Sequence, residues 1–237
     1  MLLEPERKPT RVRSNERKSN MSSNQRFVTR YSATETAFWD KIAEQYARKP
    51  VSDQALYEKK LARTQQYLTF EAEVLELGCG TGSTAIWLAQ DVHRIVASDY
   101  SPAMIEIAKV KQQSAEITNI EFLCSSIWEL PFGENCFDAV LAFNLLHLVE
   151  DYDEHIARTF ELLRPGGVFV SSTPCAASSL IRFALPLMRF AGIAPKVVLL
   201  NQETLERSIV NNGFRIVDRI DTGSSAKGAF LIAKKPY

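Results

Sequence analysis

Cysteine and histidine are scarce in this chain of 237 residues, which holds four cysteines and three histidines. The cysteines lie far apart at positions 79, 124, 136 and 175, with no C-x-x-C pair. This spacing disfavours both a zinc site and a disulfide framework. We therefore expect no bound metal and a reducing, cytoplasmic environment.

Long apolar runs and an excess of one charge are also lacking. No apolar run reaches the roughly 20 residues that a membrane-spanning helix needs. The 28 basic residues balance the 28 acidic ones, so no global charge attracts nucleic acid or an anionic membrane. The apolar fraction of 46% is ordinary for a globular protein. The length fits one α/β domain with a tail.

Residues 1–30 differ in composition from the rest of the chain. They carry eight basic residues against three acidic ones and little apolar content, which predicts a disordered basic tail. The segment has no apolar core of a secretory signal, and its early acids disfavour a transit peptide. Met21 is an alternative start, with the preceding residues as upstream sequence.

Residues 31–70 are predicted to form two helices. Between Thr34 and Tyr46, apolar side chains recur at helical spacing, and Pro50 ends this pattern. A second helical pattern runs from about Asp53 to Leu68.

A glycine-rich stretch then supplies the first sign of a ligand. Residues 74–82 run Val-Leu-Glu-Leu-Gly-Cys-Gly-Thr-Gly. This order predicts a buried strand, a tight turn and a helix N-terminus whose free N–H groups face a ligand. A dinucleotide fingerprint is the alternative, but Ser83 replaces its third glycine. Glu76 would also repel a pyrophosphate, whereas it suits a cationic ligand.

Strands and helices are predicted to alternate strictly after residue 73. We expect strands near 74–77, 94–98, 120–124, 137–143 and 167–173, and helices near 83–90, 102–113, 151–163 and 201–212. Two further strand-like runs, 214–222 and 227–234, are expected to form an antiparallel hairpin. Such alternation predicts an α/β, doubly wound and mostly parallel sheet with its ligand crevice at the carboxyl ends of the strands.

The glycine stretch resembles the E-x-G-x-G-x-G signature of class I S-adenosylmethionine-dependent methyltransferases. Further matching segments are residues 94–99, 101–105, 130–132, 137–140 and 162–169. The nearest branch acts on small molecules and includes quinone-biosynthesis methyltransferases. The resemblance implies a seven-stranded, Rossmann-like methyltransferase domain over 71–237 with a lid insertion at about 178–200. It also implies that residues 31–70 form a helical cap over the cofactor cleft.

The resemblance also implies which residues bind S-adenosyl-L-methionine. Asp99 ends the second strand, where its carboxylate would accept both ribose hydroxyls, as the acid of dinucleotide sites does. The other implied cofactor residues are Glu76, Gly78, Cys79, Gly80 and Thr81 beside the methionine part, Tyr100 and Met104 beside the adenine, and Ser126, Ile127 and Asn144. Ser126 stands where the family usually has an aspartate, which puts that contact with the adenine in doubt.

Three residues are candidates for the acceptor side. His147 is a candidate general base, with a structural role as the alternative; His93 and His155 are expected on outer surfaces. Tyr46 and Phe183 are candidate substrate contacts. The segment around Phe183 would form either a core helix or a lid, whose arginines would meet an anionic head group or the surface of a membrane.

The sequence thus predicts methyl transfer to a small-molecule acceptor, with a quinone precursor, a lipid or another hydrophobic metabolite as the apolar choices. A regulatory protein that binds the cofactor without acceptor chemistry is the alternative. A nicotinamide-dependent dehydrogenase is disfavoured by Glu76 and Ser83. Nucleic-acid methylation is disfavoured because residues 144–147 are not an Asn/Asp-Pro-Pro-aromatic loop. The acceptor atom and the oligomeric state stay open.

Overall fold

A computed structural model describes residues 33–175, 194–220 and 228–237. The predicted tail, Phe183 with most of the predicted lid, and the turn of the closing hairpin lie outside these residues. The helices are α1 (Ala33–Arg48), α2 (Gln54–Gln65), α3 (Ser83–Leu88), α4 (Pro102–Ser114), α5 (Tyr152–Leu162) and α6 (Gln202–Asn211). The strands are β1 (Glu73–Leu77), β2 (Arg94–Asp99), β3 (Ile120–Cys124), β4 (Phe137–Phe143), β5 (Leu163–Thr173), β6 (Arg215–Ile220) and β7 (Ala229–Lys234).

The seven strands form one sheet in the order β3-β2-β1-β4-β5-β7-β6. The first five strands are parallel, whereas β7 runs antiparallel to both β5 and β6. The prediction of a mostly parallel sheet with an antiparallel hairpin is therefore confirmed. The strand order reverses between β1 and β4, and a crevice opens at such a point beyond the carboxyl ends of the strands.

Helices cover both faces of the sheet, as a doubly wound fold requires. Leu75 and Val140 point to one face, where they pack in a core with residues of α5 and α6. Val74 and Leu141, each one residue away, point to the other face and its core with α2, α3 and α4. The central strands are buried on both sides, which explains why they are nearly continuous apolar runs.

Strand β5 begins earlier than predicted. Phe137 of β4 pairs with Leu163, but Ala139 pairs with Val168, so residues 164–167 bulge out between these two pairs. The bulge is held by Arg164, whose Nη1 donates to Asp138 Oδ2 at 2.5 Å. Residues 163–166, which precede the predicted start of the fifth strand, therefore belong to the strand and include its irregular part.

Two helices also end earlier than predicted. Helix α2 stops at Gln65, three residues short of the predicted end. Helix α3 stops at Leu88, and its predicted last residues form a 3₁₀ turn, Ala89–Asp91. Such tightening at a helix end is common, since the final carbonyls lack α-helical partners.

Helices α1 and α2 lie in the segment predicted to hold two helices, and their role as a cap over a cofactor stays a prediction. Asp40 of α1 accepts hydrogen bonds at the start of α4, from Ser101 Oγ at 2.6 Å and from the Ala103 N–H at 3.2 Å. Ser101 is also the N-cap of α4, accepting the Met104 N–H at 3.2 Å. From α2, Lys60 Nζ donates to Ser172 Oγ of β5 at 3.0 Å. The two helices are thus fastened near the carboxyl ends of β2 and β5.

Candidate functional site

The glycine turn after β1 has two glycines with different surroundings. Gly82 has a φ of +75°, and a Cβ placed there would lie 2.7 Å from Phe122 Cζ and 2.9 Å from Ala108 Cβ. Gly80 has a φ of +51°, but its Cβ would meet only Tyr46 Cε1, at 3.8 Å. Gly82 therefore permits close packing of the turn on the core, whereas Gly80 leaves space on the crevice side.

Two adjoining cavities lie in the crevice. The larger, of about 330 Å³, is called the Glu76 cavity and is lined by Glu76, Cys79, Thr81, Ser83, Thr84, Tyr57, Lys111 and residues 47 and 49–52. The smaller, of about 60 Å³, is called the Asp99 cavity and is lined by Asp99, Trp39, Tyr100, Met104, Leu145, Leu148 and Val149. Both cavities are also lined by Tyr46, Gly78, Gly80, Phe143 and Asn144.

Glu76 is buried in β1, and its Oε2 has no hydrogen-bond partner within the described ranges. Burial raises the pKa of its carboxyl to about 8, and the nearby Asp99 carboxylate adds to the rise. Hydrogen bonds from the Ala85 N–H and the Thr84 side chain oppose this rise. At neutral pH the carboxyl is therefore mostly protonated, and one oxygen is left for a ligand.

Asp99, at the end of β2, is held by the backbone on both oxygens. Oδ2 accepts the Gly80 N–H at 2.9 Å, and Oδ1 accepts the Ser101 N–H at 2.9 Å. Burial and the neighbouring Asp40 raise the pKa of Asp99, while the two backbone hydrogen bonds lower it. These bonds fix the carboxylate between the glycine turn and α4, and each oxygen keeps a lone pair for a further donor.

Lys111 was not identified from the sequence. Its Nζ donates to Thr81 Oγ1 at 2.8 Å and to Ser83 Oγ at 3.2 Å, so α4 is tied to the glycine turn. Burial lowers the pKa of this lysine. Met104, Ala108 and Lys111 follow one helical face at spacings of four and three residues, and the first two are buried. A basic residue on the same helical face as two apolar residues was the sequence feature that could have indicated Lys111 as a site residue.

The sequence profile of a methyltransferase domain family matches residues 74–167. The demethylmenaquinone methyltransferase of Listeria welshimeri is 31% identical over 111 residues, which are 46% of this chain and 45% of that protein. A probable S-adenosylmethionine-dependent methyltransferase of Mycolicibacterium smegmatis is 31% identical over 102 residues, 43% of this chain and 38% of that protein. Over this segment, the chain is therefore similar to S-adenosylmethionine-dependent methyltransferases.

The alignment spans less than half of each of these relatives. A solved structure from Bacillus halodurans, named as a putative methyltransferase, shares the fold at 14% identity with a TM-score of 0.61, over 75% of this chain and 99% of that one. A solved S-adenosylmethionine-dependent methyltransferase of Thermotoga maritima shares it at 19% identity with a TM-score of 0.63, over 84% of this chain and 99% of that one, which confirms the predicted fold class. The same fold occurs in the [4+2]-cyclase SpnF, at 19% identity with a TM-score of 0.62, over 75% of this chain and 81% of that one. The fold of a class I methyltransferase is therefore also found in a protein with another named reaction.

Most of the predicted site residues lie together. Those that line one or both cavities are Tyr46, Glu76, Gly78, Cys79, Gly80, Thr81, Asp99, Tyr100, Met104 and Asn144. Ser126 and Ile127 line neither of the two, and the Ser126 hydroxyl donates to Glu129 Oε2 within its own loop, at 2.9 Å. Contacts of these residues with a cofactor stay predictions.

Asn144 lines both cavities and follows directly after β4. Its φ is +56°, an uncommon conformation for a residue with a side chain, and its N–H donates to Ser172 O at 2.7 Å. This arrangement turns the chain sharply at the end of the strand. Strained residues of this kind concentrate at functional sites.

His147 has a less suitable position than the sequence suggested. It lies in a 3₁₀ turn, Leu146–Leu148, and lines neither cavity. Burial lowers the pKa of its imidazole to about 4, and Nδ1 has no partner among the described residues. The neutral imidazole can accept a proton, but it is a weak base because the pKa of its protonated form is so low. Its role as general base stays a prediction.

The prediction for His155 is wrong, whereas His93 is exposed as expected. His155 is only 2% exposed and meets Trp128 edge to face, with ring centroids 5.2 Å apart. It lies on the inner face of α5, four and seven residues before the buried Thr159 and Leu162. This helical spacing was visible in the sequence.

The described residues contain neither a membrane-spanning helix nor a metal site. In the described part of the chain, no helix has the length and apolar character to cross a bilayer. Within the same ranges, no group of three or more His, Cys, Asp and Glu side chains is placed to hold a metal ion.

Cys175 is buried just after the end of β5, and its Sγ donates to Thr173 O at 3.7 Å.

Proposed function

We propose that this chain binds S-adenosyl-L-methionine across the two cavities and transfers its methyl group to a small-molecule acceptor. The observation that carries the proposal is the glycine turn, where a Cβ at Gly80 would face only Tyr46, between two fixed carboxyl groups. An open backbone beside an unpartnered oxygen of Glu76 fits a ligand that carries an ammonium group and a sulfonium. The residues present therefore fit the cofactor.

Asp99 would accept the ribose hydroxyls on its remaining lone pairs, and Tyr100 with Met104 would contact the adenine. Glu76 and the residues from Gly78 to Thr81 would border the methionine part. When bound, the cofactor supplies a methyl group already activated by its positive sulfur. The residues of this chain need only align the acceptor and exclude water. We assign this role to Tyr46 of α1, and the assignment is supported by its place in the lining of both cavities.

The acceptor is proposed to be apolar. This rests on the demethylmenaquinone methyltransferase relative, which by its name acts on a quinone precursor. Phe143, shared by both cavities, and Tyr46, 45% exposed at their mouth, offer apolar surface. Phe183 and the lid extend this proposal to residues outside those described. We further propose that residues 1–30 form a tail. Peripheral contact with a membrane and a cytoplasmic location are also part of this proposal.

A second candidate is binding of the cofactor without methyl transfer. It is favoured by the position of His147, which lines neither cavity, and by the cyclase with the same fold. The two candidates share the cofactor site but differ in the reaction.

The test has two stages. Calorimetric titration with S-adenosylmethionine should show binding, and absence of binding would reject both candidates. Incubation with methyl-labelled cofactor and fractionated cell extract should then move label into the apolar fraction. Binding without labelling of any fraction would favour the second candidate, and label confined to polar metabolites would contradict the apolar acceptor.

A further inference from the structure

We propose that Lys111 binds the carboxylate of the ligand's amino-acid end in the Glu76 cavity, which makes α4 part of the site. The assignment rests on the proposed function, since it takes S-adenosylmethionine to be that ligand. It adds a residue that neither the glycine signature nor the acidic end of β2 identifies.

The position of the ammonium group is the first argument. Nζ is held by two hydroxyls of the glycine turn, Thr81 Oγ1 at 2.8 Å and Ser83 Oγ at 3.2 Å. An ammonium group has three donors, so these two bonds leave one more. Lys111 also lines the Glu76 cavity. The hydroxyls therefore fix a cationic donor at the wall of the cavity.

The charge of the cavity is the second argument. Within the described ranges, no carboxylate oxygen lies within 4.0 Å of Lys111 Nζ, so this lysine forms no ion pair there. Glu76 is mostly protonated at neutral pH because burial raises its pKa to about 8. Lys49 is the other cation that lines this cavity. The cavity thus favours an anionic group, although it contains an acid.

The shape of the crevice is the third argument. The Asp99 cavity contains the residues proposed for ribose and adenine, and it joins the Glu76 cavity at Gly78 and Gly80. A ligand with its nucleoside in the Asp99 cavity therefore extends its amino-acid end past Gly80 into the Glu76 cavity. The carboxylate of that end is the anion that Lys111 matches.

Two ligands and two variants test the assignment. The ligands are S-adenosylmethionine and its decarboxylated form, which keeps the adenosine, the sulfonium and the amine. The variants of the full chain are Lys111→Met and, as a matched control, Lys109→Met. Lys109 is exposed on the same helix and lines neither cavity. Affinities are measured by calorimetric titration, and the melting temperature reports folding.

We expect Lys111→Met to weaken binding of S-adenosylmethionine at least about tenfold, as loss of a charged hydrogen bond predicts. Its affinity for the decarboxylated ligand should stay within about twofold of wild type, and Lys109→Met should change neither value. Equal weakening for both ligands would mean that Lys111 only braces the turn, which overturns the assignment. Unchanged affinity for S-adenosylmethionine overturns it as well. If the wild-type chain binds neither ligand, the proposed function itself is wrong and the assignment falls with it.

Discussion

Glu76 and Asp99 are carboxyl groups on neighbouring parallel strands, yet their surroundings differ. Both oxygens of Asp99 accept backbone N–H groups, from Gly80 and Ser101. One oxygen of Glu76 is buried with no partner among the described residues. The backbone thus orients Asp99 before any ligand arrives, whereas Glu76 stays in a costly state that a ligand can relieve. The comparison teaches that one site can hold one acid whose position is already fixed and another whose buried oxygen still lacks a partner.

The largest expected effect concerns the protonation of Glu76. The pKa of its carboxyl rises from 4.5 to about 8 on folding. Between these values the unfolded chain has lost the proton and the folded chain keeps it, so stability falls as pH rises. At about 1.4 kcal/mol per unit, the whole window is worth on the order of 5 kcal/mol. Glu76→Gln does not titrate and should remove this dependence.

Thermal unfolding at pH 4.5, 6 and 8 measures this effect. The Gln variant should match wild type near pH 4.5 and be the more stable protein at pH 8. Asp99→Asn serves as the comparison: most of the pH dependence should persist in this variant, because burial is the largest cause of the raised pKa of Glu76 and the charge of Asp99 only adds to it. A constant difference in melting temperature between wild type and Glu76→Gln at all three pH values would contradict the raised pKa.

The next effect concerns Asp99. Asp99→Ala should weaken S-adenosylmethionine binding about 100-fold or more, because charged hydrogen bonds contribute roughly 1.5–3 kcal/mol each. The variant also frees the N–H groups of Gly80 and Ser101, which loosens the turn. Asp99→Asn keeps one oxygen acceptor and should lie between wild type and Ala in a calorimetric titration. Affinity of Asp99→Ala equal to wild type would remove Asp99 from the site.

The two glycines of the turn separate folding from binding. Gly82→Ala places a Cβ 2.7 Å from Phe122 Cζ in the core, which should cost roughly 3 kcal/mol and lower the melting temperature by about 10 °C. Gly80→Ala meets no close atom, so it should cost about 1 kcal/mol of backbone strain while cofactor affinity falls about tenfold or more. Equal melting temperatures for the two variants would refute the difference between the two sides of the turn.

The smallest expected effect comes from Tyr57, whose hydroxyl is connected through Thr84 to Glu76 and not to Asp99. Tyr57 OH and Thr84 Oγ1 are 3.0 Å apart, and Thr84 in turn hydrogen-bonds to Glu76. Tyr57→Phe should therefore cost about 1 kcal/mol of stability, measured by urea unfolding. The matched change Tyr67→Phe removes a hydroxyl that donates to Asp218 of β6, far from the crevice. Only the Tyr57 variant should alter cofactor affinity, and a change in both would argue against a local effect.

Much of the fold was predictable because its signals are local. Apolar runs located the parallel strands, and the glycines at 78, 80 and 82 located the turn. The start of β5 was not predictable, because the bulge at residues 164–167 contacts Asp138 of the neighbouring strand β4, which is 26 residues before Arg164 in the sequence. A proline and two glycines in that segment indicate a turn when only neighbouring residues are considered.

The candidate site was predictable to the extent that motifs follow strand ends. Asp99 and Gly80 come directly after parallel strands, so topology brings them together. Lys111 comes from the middle of a helix, and only the packing of α4 on the turn places it at the cavity. The sequence feature that could have revealed Lys111 is its helical spacing from Met104 and Ala108, which belongs to no short sequence motif. Ser126 shows the reverse case, a residue at a motif position whose hydroxyl is held by Glu129.

The two edge strands of the sheet, β3 and β6, affect whether separate molecules can associate through strand pairing. An outer strand offers unpaired backbone groups to which a strand of another molecule can add. Strand β6 carries the exposed Arg215 and Arg219, and β3 carries Glu121, which pairs with Arg94 of β2. A strand added at either edge would have to bring its own side chains against these charges. The charged borders therefore oppose aggregation by edge-to-edge growth.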